Sequence, residues 1–192
     1  MSMISEYLNL LTQAIEELPE DKIQDVIETL KSAHADGRQV FLLGNGGSAS
    51  TASHIACDFQ KGLKEHTGKR FRASAMTDNV AVMTAWANDT DYDNIFAEQL
   101  DSLLEDGDVV LAISGSGNSP NVIKAVEKAN EMGAITIGWS GFAGGKLAQV
   151  AQKSIVVNSD NMQRIEDVHM VLGHLVFACL MKQCGQAECQ CG

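Results

Sequence analysis

The sequence predicts one α/β domain over residues 1–192, a three-layer αβα sandwich in which helices cover both faces of a five-stranded parallel sheet. Two observations lead to this prediction. Short apolar runs of strand length alternate with segments whose apolar residues recur at helical spacing. Two of the apolar runs end in loops of glycine and serine, as is typical of ligand-binding turns at the carboxyl ends of parallel strands.

Two helices are expected before the sheet. Apolar residues from Ile4 to Leu18 recur at helical spacing until Pro19 interrupts them, and a second helical pattern ends near Gly37. These helices carry more apolar surface than one face of a small sheet needs. Residues 1–36 are therefore expected to pack against another subunit.

The remaining chain predicts five strands and the helices that connect them. The strands are expected at residues 39–43, 72–76, 108–113, 134–139 and 153–157. The helices are expected at residues 49–62, 79–87, 94–104, 119–132, 145–151 and 161–183. Residues 184–192 are interpreted as a flexible tail, because Cys184, Cys189 and Cys191 lack the paired spacing of a zinc site.

The formal net charge of −11 argues against two classes of partner. Nucleic acids and anionic membranes both select basic surfaces, so neither is expected. No apolar run is long enough to span a bilayer, and the N-terminus lacks the basic and apolar segments of a signal peptide. Five cysteines are an odd number in a chain that can build its own core, which indicates reduced thiols and a cytoplasmic location.

The basic residues are concentrated in one segment. Five of the fourteen fall within twelve positions, namely Lys61, Lys64, Lys69, Arg70 and Arg72. One interpretation is a solvated connecting loop, which is the usual role of a run of charges. The other is a positive rim that attracts an anionic substrate toward an otherwise acidic protein.

Two loops carry the candidate binding residues. The first follows residues 40–43 and precedes a helix; its glycines allow close backbone approach, and the first N–H groups of that helix stay unpaired. The second follows residues 109–113 and leads through Pro120 into another helix. The candidate ligands are Asn45, Gly46, Gly47, Ser48, Ser114, Gly115, Ser116 and Ser119. Together they predict a site for a phosphorylated small molecule.

Neither loop has the pattern of a nucleotide site. The dinucleotide motif G-x-G-x-x-G and the Gly-Lys-Ser/Thr of a triphosphate loop are both missing from them. Helix capping is the alternative role, since Ser119 before Pro120 has the character of an N-cap residue. Capping accounts for one serine but not for the cluster, so phosphate binding is favoured.

Carboxylates and imidazoles occur on two of the predicted helices. His54 and Asp58 lie one turn apart after the first loop, and the last helix carries Glu166, His169 and His174. Such groups act as general base and acid, hold a divalent metal such as zinc, or serve as ordinary core and surface residues. Glu166 and His174 are about 12 Å apart along a helix, so one ion bound by both would need long reaches. Ligands from two subunits would relieve this.

Asn88 and Asp89 stand in a polar stretch between two helices. A solvated loop is one interpretation of this stretch. Hydrogen bonds to sugar hydroxyls are the other.

Five ordered motifs resemble the sugar isomerase (SIS) domain family. They are Gly-Asn-Gly-Gly-Ser at 44–48, Ala-Asn-Asp at 87–89 with Asn-Ile-Phe at 94–96, Ile-Ser-Gly-Ser-Gly-Asn-Ser at 113–119, Gly-Gly-Lys at 144–146 and Arg-Ile-Glu-Asp-Val-His at 164–169. Within that family the chain is most similar to the phosphoheptose isomerases. These convert sedoheptulose 7-phosphate to D-glycero-D-manno-heptose 7-phosphate, a precursor of lipopolysaccharide or capsule. The resemblance covers nearly the whole chain and stops before the cysteine-bearing tail.

The resemblance implies a cytoplasmic homotetramer with active sites at subunit interfaces. It implies that Asp58 is the catalytic base and His174 the catalytic acid, acting through an enediol. The implied ligands of one zinc ion per subunit are His54, Asp58, Glu166 and His174. The implied phosphate ligands are Ser48, Ser114, Ser116 and Ser119. The other implied substrate contacts are Asn45, Gly46, Gly47, Asn88, Asp89, Gly115 and Glu166.

Three of these positions depart from the usual family pattern. Asp58 stands where the base is usually Glu, and Gly115 replaces a common Thr, which removes one phosphate donor. Glu166 replaces a common Gln and adds a negative charge that favours a bound cation. An arginine usual after the base's helix is absent, and Lys61 or Lys64 could replace it.

Two other functions stay open. Some SIS tetramers of this architecture are binding proteins, which sense phosphosugars or bind the bacterial replication initiator. His174 favours an enzyme, because the initiator-binding homologue lacks a histidine there. An isomerase of another sugar phosphate is the second alternative, which the serine loops alone do not distinguish.

Overall fold

The computed structural model describes residues 2–185, apart from the side chain of His66. In chain order the elements are α1 (Met3–Glu16), α2 (Glu20–Asp36), β1 (Gln39–Gly44), α3 (Gly46–Thr67), β2 (Arg72–Ala75), α4 (Val80–Asp89), a 3₁₀ turn (Tyr92–Asn94), α5 (Ala97–Leu103), β3 (Val109–Ser114), α6 (Pro120–Glu131), β4 (Ile135–Ser140), α7 (Leu147–Val150), β5 (Lys153–Val156) and α8 (Met162–Gly185). Each predicted strand and helix is present.

The strands form one parallel sheet in the order β2-β1-β3-β4-β5, which confirms the predicted fold class. Strand β1 pairs with β2 on one side and with β3 on the other. The last pair between β1 and β3 joins Gly44 to Ile113. Because β2 lies on one side of β1 and β3 to β5 follow on the other, the sheet has a topological switch point between β1 and β3. In open α/β sheets, ligands bind at the carboxyl ends of strands at such a point.

Apolar side chains on the two faces of the sheet form separate cores. Val40 and Leu42 of β1 pack with α2, α3 and α8, whereas Phe41 and Leu43 pack with α5, α6 and α7. Successive strand side chains point to opposite faces, which places neighbouring residues in different cores. Burial on both faces explains why the strand reads as a continuous apolar run.

Helix α3 is longer than predicted at both ends. The sequence pattern predicts residues 49–62, whereas the helix begins directly after the extended Asn45 and continues to Thr67. Apart from the buried Leu63, its last turns are polar, with Lys61 and Glu65 paired across one turn, and they end at Gly68 with a φ of +70°. The prediction relied on apolar periodicity, which does not detect polar turns.

Helix α8 also continues beyond its predicted end. It reaches Gly185, so Cys184 belongs to the helix and not to a tail. Cys184 packs against the core, and this burial raises the pKa of its thiol. The rest of the predicted tail, residues 186–192, lies outside the described residues.

The two N-terminal helices differ in what they bury. Helix α2 buries Ile23, Val26, Ile27 and Leu30 in the core of its own chain. Helix α1 leaves four large apolar side chains exposed, those of Met3, Ile4, Leu8 and Leu10. Apolar surface available to a second subunit is thus found on α1, whereas the apolar side chains of α2 are already buried in the core of its own chain. Between residues 2 and 185, no helix combines the length and apolar character needed to cross a bilayer.

Candidate active site

The loop after β1 presents backbone donors. A Cβ on Gly44 would lie 2.7 Å from the carbonyl oxygen of Ile113, so glycine is needed for the loop to lie this close to β3. Asn45 is extended, precedes α3 and makes no side-chain capping bond to it. The first N–H groups of α3 therefore have no side-chain cap, and residues 46–48 line a cavity.

The loop after β3 presents hydroxyl groups. The Oγ atoms of Ser114 and Ser119 lie 3.2 Å apart across the loop, and Ser116 Oγ accepts a bond from the Asn118 N–H at 3.2 Å. Ser119 precedes α6, but its side chain does not cap that helix. Since only one of the paired hydroxyls donates to the other, one of them and Ser116 each keep a hydrogen for a ligand.

The two loops line one open cavity of about 240 Å³ at the carboxyl ends of β1 and β3. Both loops therefore face the same cavity. Met162 and Glu166 of α8 complete its lining. A Cβ on Gly115 would collide with the sulfur of Met162, so Met162 occupies the space that a larger residue at position 115 would need.

Glu166 lies at this cavity and not with the other implied zinc ligands. Its Oε1 would be 2.6 Å from a Cβ on Gly47, so the carboxylate rests against the start of α3. A helix N-terminus stabilises such a negative charge. The implied four-ligand set is thus not assembled within one chain, because Glu166 and His174 are about 12 Å apart along α8.

The side chains of His54, Asp58 and His174 form an acid–base group between α3 and α8. Nε2 of His54 lies 2.9 Å from Nε2 of His174 and 3.4 Å from Oδ2 of Asp58. Nε2 of His174 lies 3.9 Å from the same oxygen. The helices pack closely because Gly173 faces Ile55, where a Cβ would lie 2.7 Å from the isoleucine side chain.

The acid–base group fits a zinc ion. Bonds of about 2.0–2.1 Å in a tetrahedral site place ligand atoms about 3.3 Å apart, which falls within the observed 2.9–3.9 Å. Two imidazoles and a carboxylate also form the ligand set of catalytic zinc sites that keep a fourth position open. About half of each imidazole side chain is exposed, so a ligand or a neighbouring subunit can reach the group.

The acid–base group and the cavity are separate within one chain. Ser48 and Asp58 both lie on α3, and ten residues place them about 15 Å apart along the helix axis. His54 is nearer to the loop, at about 9 Å along the axis. The three side chains do not line the cavity.

Two other predicted groups also do not line the cavity. Asn88 and Asp89 stand at the exposed end of α4, where Asn88 Nδ2 donates to Asp89 Oδ1 at 2.8 Å. Lys64, Arg70 and Arg72 line a different cavity near the first residues of β1 and β2. Because parallel strands begin at the edge opposite their carboxyl ends, these three residues do not form a rim around the loop site.

Sequence reasoning missed three residues at the site. Asn121 and Tyr92 hold the side chain of Asn45 by hydrogen bonds, and Met162 fills space beside the second loop. Asn121 lies 76 positions from Asn45, and no local signal links them. The side-chain amide of Asn45, implied as a sugar contact, already donates through Nδ2 to Asn121 and accepts through Oδ1 from Asn121 and Tyr92.

His169 belongs to the core and not to the acid–base group. It is 1% exposed, and its Nε2–H donates to the carbonyl oxygen of Ser140 at 3.2 Å. Desolvation by burial lowers the pKa of its imidazole to about 4.

This burial predicts a stability that falls in acid. Between pH 6.5 and 4 the unfolded chain binds a proton at His169 that the folded chain does not, so folding weakens as pH falls through that window. We expect about 2 kcal/mol less stability at pH 5 than at pH 7. Urea unfolding at both pH values tests this, and the neutral variant His169→Gln should lose less. An equal pH dependence in that variant would contradict the assignment.

The comparisons with known proteins agree with one another. A family model described as SIS domain matches residues 4–141. A phosphoheptose isomerase from Aquifex aeolicus is 40% identical over 163 residues, which are 85% of each chain. Solved phosphoheptose isomerases from Neisseria gonorrhoeae and Francisella tularensis are 30% and 28% identical, with TM-scores of 0.84 and 0.85. The matches cover 92% and 95% of this chain and 96% and 100% of theirs.

Proposed function

We propose that this chain, a phosphoheptose isomerase of the SIS domain family, isomerises sedoheptulose 7-phosphate with the residues described above. One observation supports this assignment most. Helices α3 and α8 carry both the residues that would bind substrate and those that would move protons. Their early residues line the cavity, and the acid–base group lies further along both helices. The product is D-glycero-D-manno-heptose 7-phosphate.

The two loops are assigned to the phosphate. Backbone N–H groups at the start of α3 suit a dianion, as do the hydroxyls of Ser48, Ser114, Ser116 and Ser119. Binding at this remote end contributes the energy that positions the reacting carbons. Glu166 is the one carboxylate among the residues that line this cavity, and it would repel a phosphate unless a cation offsets it.

Asp58 is assigned as the base and His174 as the acid. The carboxylate removes a proton from C1 of the ketose, and the same proton returns to C2 of the enediol to give the aldose. His174 moves a proton between the two oxygens, from O1 to O2. The two imidazole nitrogens lie within hydrogen-bond distance of each other at 2.9 Å, and Asp58 Oδ2 lies 3.4 and 3.9 Å from them, so that the three groups can act on one bound sugar.

Zinc is the proposed metal, held by His54, Asp58 and His174. Glu166 of a neighbouring subunit is proposed as the fourth ligand, because it cannot reach the group within its own chain. When bound, zinc polarises a substrate oxygen. A carboxylate that ligates a metal firmly is a poor base, so the two roles of Asp58 compete in any one step.

A homotetramer is the proposed assembly. Val171 and Leu175 flank His174 on α8 and are 37% and 41% exposed, and α1 adds further exposed apolar residues. Apolar surface beside a polar site favours burial against another subunit. Such an interface would bring the acid–base group of one chain to the loop cavity of another. Within a single chain the two are too far apart to act on one substrate.

The activity is tested directly on the purified, metal-analysed protein. We expect NMR to show aldose formation from sedoheptulose 7-phosphate and slower or no turnover of five- and six-carbon ketose phosphates. Light scattering on the same preparation should give four times the chain mass. A stable monomer with full activity would contradict the assembly, and no turnover of any sugar phosphate would contradict the assigned residues.

The metal assignment predicts that His54→Ala lowers zinc affinity by more than about 100-fold, because one of three ligands in the chain is lost. Mass spectrometry of the dialysed protein measures zinc content, and the absorption of bound Co²⁺ reports the ligand geometry. Ser53→Ala, the neighbouring residue on α3, serves as the matched control. Equal zinc content in both variants would overturn the assignment.

A further inference from the structure

The side chain of Asn45, in the first loop, forms a reciprocal amide pair with that of Asn121, which lies in the first turn of α6 directly after the second loop. Asn45 Nδ2 donates to Asn121 Oδ1 at 2.8 Å, and Asn121 Nδ2 donates to Asn45 Oδ1 at 2.9 Å. Two antiparallel bonds fix both the distance and the relative orientation of the amide planes. The pair therefore restrains the loops more tightly than a single hydrogen bond would.

Further donors complete the pair. The N–H of Val122 donates to Asn121 Oδ1 at 2.9 Å, and the hydroxyl of Tyr92 donates to Asn45 Oδ1 at 3.1 Å. Each amide oxygen thus accepts two bonds, which is the capacity of a carbonyl oxygen. Asn121 is 1% exposed, so breaking the pair would leave buried polar groups unsatisfied.

The pair also accounts for an unusual feature of the first loop. Asn45 occupies the N-cap position of α3, where an asparagine side chain ordinarily accepts a bond from the helix backbone. Here it makes no such bond, because its amide is turned toward Asn121. The N–H groups at the start of α3 are thereby left for a ligand.

We propose that Asn121 is a positioning residue, which locks the glycine loop to the serine loop so that their donors form one phosphate cradle. The proposal rests on the proposed function, because it assumes that the phosphate binds between these loops. Asn121 does not line the cavity and acts through Asn45. Its loss therefore weakens phosphate binding without removing a phosphate ligand.

The test compares the effects of substitution on phosphate binding and on turnover. We expect Asn121→Ala to raise both KM and the inhibition constant of inorganic phosphate by about 10- to 100-fold, with a smaller change in kcat. Asn121→Asp keeps the volume and the acceptor oxygen but replaces the N–H donor with a negative charge. It should raise the inhibition constant further, and urea unfolding of both variants separates this effect from the stability lost by burying a charge.

Asn130→Ala is the matched control on the same helix. Asn130 also ties elements together, through Val150 and Thr136, but at the end of α6 away from the loops. A purely structural role would make both variants lose stability and active fraction alike, with an unchanged phosphate inhibition constant. That result would overturn the proposal.

Two more variants separate this inference from the proposed function. In an Asn45→Ala background, Asn121→Ala should add little, because the two residues act as one unit; additive effects would overturn the proposal. Ser119→Ala should weaken phosphate inhibition if the cradle is correctly assigned. Weakening by Ser119→Ala but not by Asn121→Ala would reject only the positioning role. No effect of either variant would reject the phosphate assignment as well as the role that depends on it.

Discussion

The Asp58→Asn variant is expected to lose about 10²- to 10⁴-fold in kcat for sedoheptulose 7-phosphate, because an amide cannot take the proton from C1. His174→Ala should lose a similar factor, since no other group is assigned to move the proton between the sugar oxygens. Both side chains are partly exposed, at 28% and 55%, so neither substitution opens a hole in the core. The variants should therefore fold and assemble as the parent does.

Glu65→Gln provides the matched control for this experiment. It makes the same change from carboxylate to amide on the same helix, at an exposed residue paired only with Lys61 among the described ion pairs. Its kcat should stay within about twofold of the parent, as expected for a residue outside the site. Zinc content is measured in each variant, so that metal loss is distinguished from loss of the base. Full activity in both Asp58→Asn and His174→Ala would refute the proposed mechanism.

The Gly117→Ala variant is expected to lose about 4 kcal/mol of stability, the largest structural effect predicted for a single added methyl group. Gly117 has a φ of +67°, which strains any residue with a Cβ. The added Cβ would also collide with the carbonyl oxygen of Gly144 and lie 3.1 Å from the Cα of Gly145. These neighbours are backbone atoms, so relief requires the second loop to move away from the segment before α7.

Gly37→Ala separates the cost of the positive φ from the cost of the steric collision. Gly37 has a nearly identical φ of +69°, but nothing lies within 4 Å of an added Cβ. It should lose only about 1 kcal/mol, which is the cost of the strained backbone alone. Thermal unfolding measures the difference, expected to be about 6–12 °C for a domain of this size. Equal melting temperatures would show that crowding by Gly144 and Gly145 is not limiting.

The glycine and serine loops were predictable because their signals are local. An apolar run followed by glycines and a helical pattern specifies a strand, a turn and a helix start within about twenty residues. Parallel pairing of adjacent strands then places both loops at one edge of the sheet. The same local reasoning failed at the end of α3, because no apolar residue follows Leu63 in that helix.

The ligand set of the metal illustrates what local reasoning does not settle. Glu166, His169 and His174 share one helix, yet they enter three environments: the cavity, the core and the acid–base group. Their spacing of three and five residues leaves each rotated differently about the helix axis. Which neighbour each one meets depends on how α8 packs on α3 and on the sheet.

The sequence by itself determined the fold class, the order of the elements and the two loops that line the site, because periodicity and glycine turns are properties of neighbouring residues. Only the tertiary structure decided which distant side chains meet. Asn45 reaches Asn121 across 76 positions, and His54 reaches His174 across 120. The physical reason is that these long-range contacts depend on the order of the strands and on the rotation of each helix about its axis. Both are determined by how the apolar side chains are buried in the two cores.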